Sequence, residues 1–141
     1  MRPLPAAATA AAAAVALTLL ISAGLGGGAK QAENRYVASL RGLPPASGAH
    51  ATARLASFSA GTRVDLSVNG LTPAPDAVYE LWCIRDDGTK MSAGTFRVDA
   101  SGRAIVHLTT AARLGDYHRL SVERTAPRGA GTRVMAGQVA Y

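Results

Sequence analysis

The chain has 141 residues, 48% hydrophobic, 17% charged and 5% aromatic, which leaves room for one domain and a terminal segment. Fifteen Lys and Arg outnumber nine Asp and Glu, for a net charge of +6, but the basic residues are scattered singly. They form no stripe able to track a phosphate backbone, so nucleic acid is not an expected partner. The single cysteine, Cys83, excludes an intrachain disulfide and a cysteine-rich metal site.

Residues 3–29 carry no charge and lie between Arg2 and Lys30. That length exceeds the roughly 20 residues needed to cross a bilayer. The segment has no polar face, so it is expected to be a transmembrane helix that anchors the chain, with residues 1–29 as the anchor. Arg2 and the amino terminus at the short end orient the N-terminus to the cytoplasm. The chain is then a single-pass plasma-membrane protein with its C-terminal domain extracytoplasmic. The alternative is a cleaved signal peptide, with Gly27-Gly28-Ala29 as the small-residue cleavage site. That would leave a secreted or wall-associated, non-catalytic binding domain.

Residues 30–50, punctuated by Pro44-Pro45 and Ser47-Gly48, read as a linker. The β domain is expected over 51–141. Ala51–Phe58 alternates weakly. Gly61–Val68 alternates clearly, with Val64, Leu66 and Val68 opposed to Arg63, Asp65 and Ser67, the pattern of a half-buried strand. Val78–Arg85 follows. It sends Tyr79, Leu81 and Cys83 one way, and Trp82 and Ile84 the other with Glu80 among them. Being apolar on both faces, it is expected to be central rather than an edge. Asp86-Asp87-Gly88 supplies a tight turn into Met91–Val98, where Gly94 predicts a bulge or a close backbone approach. Arg103–Leu108, His118–Thr125 and Thr132–Ala140 complete the set, with a helical turn expected within Thr109–Tyr117. About seven short strands separated by regular turns predict an all-β, antiparallel β-sandwich, with Leu66, Leu81, Trp82, Phe96 and Val106 buried.

The candidate chemistry is sparse. His50, His107 and His118 lack metal-ligand spacing. Asp86-Asp87-Gly88 lacks the spacing and closing Glu of a calcium loop. Cys83, between Trp82 and Ile84, reads as a buried apolar thiol. Glu80 is a charge amid apolar neighbours, expected to pair with an Arg on an adjacent strand. No nucleophile–base set is visible, so no enzyme activity, catalytic residue, metal or cofactor is expected.

One longer pattern is more specific. Val64-Asp-Leu-Ser-Val-Asn-Gly-Leu71, Pro75, Tyr79-Glu-Leu-Trp82, Gly88, Ser92-Ala-Gly-Thr-Phe96, Asp99 and Gly102 together resemble the C-terminal domain of the anti-sigma-K factor (RskA) family, over roughly residues 51–140. Leu66, Tyr79, Leu81, Trp82, Gly94 and Phe96 are the core and motif residues this resemblance rests on. It implies a sensory or regulatory β-sandwich outside the membrane, attached to a helix, in a protein that controls a sigma factor. The sequence departs from the family pattern after Ser121–Glu123. It also offers only Met1-Arg2-Pro3-Leu4-Pro5 before the apolar run, too little for a sigma-binding domain. No direct sigma-factor contact is therefore expected of this chain as written. A membrane protein or protease is the expected partner, with Ala6–Ala16 permitting close helix approach. An in-frame upstream domain would mark Met1 as a misplaced start.

Overall fold

The structure, a computed structural model, describes residues 31–141, so the expected transmembrane helix lies outside the described residues. Among the described residues no helix is long and apolar enough to cross a membrane. The folded unit, Ala32–Tyr141, is all-β. Its strands are β1 (Asn34–Gly42), β2 (His50–Phe58), β3 (Gly61–Asn69), β4 (Tyr79–Ile84), β5 (Lys90–Phe96), β6 (Ala104–Thr110), β7 (Arg119–Arg124) and β8 (Thr132–Ala140).

Two expectations change. The expected linker contains β1, so the described residues form eight strands and the domain begins well before residue 51. β1 lies between β2 and β8, with Ala38 opposite Ala53 and Val139. Its alternation places Ala38 and Leu40 inside and Val37, Ser39 and Arg41 outside. The inward Ala38 is small and Val37 points outward, which is why the pattern is faint in the sequence. The second change concerns layering. In place of two separate sheets there is one antiparallel sheet, in the order β5-β4-β7-β8-β1-β2-β3-β6.

Strand twist accumulates across so many strands, and two irregularities sharpen the bend. Leu81 faces Gly94 while Trp82 faces Ser92, leaving Ala93 extra on β5. Glu123 faces Arg133 while Val122 faces Met135, leaving Val134 extra on β8. The sheet wraps until its edge strands, β5 and β6, lie side by side. There the Thr110 hydroxyl donates to the Ser92 carbonyl at 3.1 Å, but no ladder joins the two strands. Gly94, at φ +119°, lies on this seam, and a Cβ there would sit 3.2 Å from Leu108 Cδ2. The result is a nearly closed barrel.

Its interior is lined by Leu40, Leu55, Leu66, Tyr79, Leu81, Leu120 and Met135, each under 2% exposed, with Cys83 and Phe96 among them. Tyr79 stacks on Phe96 at 5.8 Å and donates its hydroxyl to the Thr72 carbonyl at 2.8 Å. Burial raises the Tyr79 pKa, against the lowering influence of Arg124 and of that hydrogen bond. β4 pairs on both sides, with β5 and β7, as expected of a central strand. The Asp86-Asp87-Gly88 turn is closed by Gly88 N–H to Arg85 O (3.0 Å) and Thr89 N–H to Asp87 Oδ1 (2.9 Å). Tyr117 N–H to Arg113 O at 2.9 Å closes one helical turn before β7. Val106 and Trp82, both expected to be buried, are only half-buried. Val106 is on an edge strand, and Trp82 is on the outer face of the sheet.

Candidate functional site

The period of two in β4 splits its side chains cleanly. Tyr79, Leu81 and Cys83 enter the core, and Glu80 and Trp82 stand on the outer face. Antiparallel register then places Glu123 opposite Glu80, and Ser121 and Ser92 on either side of Trp82. Two carboxylates directly opposite each other repel, and the structure answers with one cation. Lys90 reaches from β5 across β4, its ammonium 4.6 Å from the centroid of the Trp82 ring, to a Glu123 Oε1 contact of 2.5 Å on β7. The Glu123 side chain is 13% exposed and that of Lys90 34%. Glu80, expected to pair with an Arg, instead accepts the Ser92 hydroxyl at 2.8 Å, and Ser92 Oγ accepts the Gly94 N–H at 3.0 Å.

The loop between β7 and β8 walls this arrangement into a half-open cleft of ≈ 350 Å³, lined by Glu80, Trp82, Lys90, Glu123 and the small residues Gly129 to Gly131. The indole Nε1 of Trp82 and the hydroxyl of Ser121 are enclosed without a hydrogen-bond partner, an unsatisfied state that buried polar atoms rarely keep. An aromatic face and two carboxylates suit the recognition of an organic cation.

The other titratable groups stand apart. His107 pairs with Asp65 at 2.7 Å and His118 with Asp86 at 2.9 Å, while His50 is exposed on β2. No group of three or more potential metal ligands gathers among the described residues. Cys83 is 0% exposed, and burial pushes its thiol up to about 11, so it stays protonated at neutral pH. Leu66, Tyr79, Leu81 and Phe96 serve the core and Gly94 the seam. Of the residues singled out in the sequence, only Glu80 and Trp82 reach the cleft. Lys90 and Glu123 were not legible as members, because the register that joins them spans three strands.

The family model described as the C-terminal region of the anti-sigma-K factor RskA matches residues 6–128. The chain belongs to that family. The match starts earlier than the 51–140 span suggested by the motif residues, and takes in part of the apolar segment and all of β1. It ends before β8, in the stretch where the sequence leaves the family pattern. The RskA match therefore includes every cleft residue on β4, β5 and β7. No curated protein matches the chain.

Proposed function

We propose that this chain is a membrane-anchored, extracytoplasmic sensory and regulatory module of anti-sigma type, which acts by binding and not by catalysis. One observation carries the reading. The anti-sigma family match spans residues 6–128, from within the uncharged segment 3–29 into the β domain. In this reading the segment crosses the bilayer with Arg2 on the cytoplasmic side. The β domain meets its partner outside, or the small residues of Ala6–Ala16 meet a membrane protein or protease within the bilayer. Protease added to intact spheroplasts tests the topology. Digestion of the β domain together with retention of the N-terminal segment in the membrane fraction is the expected result. Full protection reverses the orientation. A mature chain beginning near Lys30 replaces the anchor with a cleaved signal peptide.

A further inference from the structure

We propose that the cleft over Trp82 is a recognition site for an alkylammonium group, and that Lys90 is an internal occupant which an external ammonium displaces. The inference stands apart from the regulatory reading, since it rests on geometry alone. Lys90 already shows what the cleft accepts. Its ammonium lies over the indole face at 4.6 Å and contacts Glu123 at 2.5 Å, and an aromatic face attracts a desolvated organic cation.

Three features make Lys90 replaceable. It is the first residue of β5, next to the exposed Arg85–Thr89 turn, so its side chain can swing outward without disturbing a ladder. It is also the more exposed partner of the pair, whereas Glu123 is largely covered. When Lys90 leaves, Glu123 stands between Glu80 on β4 and Arg133 on β8; Arg133 makes no ion pair with it, so the enclosed carboxylate has lost the cation that met it. Finally, the Gly129-Ala130-Gly131 wall presents only small side chains beside the indole, leaving room for an alkyl stem.

The chain contains one Trp, so its fluorescence reports this cleft. The full-length protein in detergent is titrated with n-butylammonium, with a capped Gly-Lys-Gly peptide and with butanol. Lys90 competition lowers the apparent affinity of wild type by the fraction of time the site is free, so Lys90→Met responds to n-butylammonium at concentrations about tenfold lower. Glu123→Gln in the Lys90→Met background abolishes the response, and butanol gives none. Tighter binding of the peptide identifies the natural ammonium as a lysine side chain, and equal binding identifies a free amine; both results uphold the site. Equal response of wild type and Lys90→Met overturns the proposal, as does a response that survives Glu123→Gln. Lys90→Gln provides a second opened site if Lys90→Met does not fold. Loss of folding in both makes Lys90 a structural strut and also overturns it.

Discussion

Raising the pH is expected to weaken this fold through Cys83. The thiol is 0% exposed inside the barrel, and burial raises its pKa from 9.0 to about 11. The folded chain therefore holds a proton that the unfolded chain releases at 9.0. The stability from this group is complete below pH 9 and is lost as pH rises from 9 through about 11. One pKa unit is worth about 1.4 kcal/mol, so the full loss is about 2–3 kcal/mol, of which about 2 kcal/mol has gone by a pH of about 10.5. Tyr79, whose pKa is also raised by burial, adds its own alkaline loss, so the comparison must be with Cys83→Ala, which keeps Tyr79. Urea denaturation of both proteins in one detergent, followed by Trp82 fluorescence at a series of pH values, measures the difference. The stability of wild type should fall more steeply than that of Cys83→Ala above pH 9. Parallel curves would show that the thiol ionises as freely in the fold as in the unfolded chain, and would refute its burial.

Two substitutions separate the faces of β4. Leu81→Ala, at 0% exposure, should cost about 2–5 kcal/mol, whereas half-buried Trp82→Ala should fall below the roughly 3–5 kcal/mol of a fully buried aromatic; a Trp82→Ala loss within that range, or a Leu81→Ala loss below about 2 kcal/mol, in urea titrations would contradict the face assignment. Gly94→Ala combines a backbone at φ +119° with a Cβ 3.2 Å from Leu108, and should lower stability by about 1–3 kcal/mol. A thermal midpoint equal to wild type would show that the bulge relaxes freely.

Much of the fold was legible because most strands carry a visible alternation. In β3 the buried Val64, Leu66 and Val68 interleave with exposed Arg63, Asp65 and Ser67, as the side-chain period requires. β1 was missed because its inward Ala38 contributes little hydrophobicity, and neighbouring prolines suggested a linker. The single wrapped sheet was not legible either. Alternation reports which side of a strand is dry, and a sandwich and a curled sheet impose the same pattern. The cleft was half legible. Glu80 stood out as a charge among apolar residues, but its relation to Glu123 and Lys90 depends on which strands are neighbours, and local sequence does not encode that.

The seam between β5 and β6 bears on how such a domain avoids its own kind. Every sheet that stops short of closure leaves two rows of unpaired backbone groups, and such rows recruit strands from other molecules. Here the rows face one another across Thr110, Ser92, Gly94 and Leu108, so each shields the other without a ladder between them. Edge-to-edge pairing with another molecule is thereby hindered by geometry rather than by charge. The same line is the place where parting two neighbouring strands, β5 from β6, breaks one side-chain hydrogen bond and no ladder.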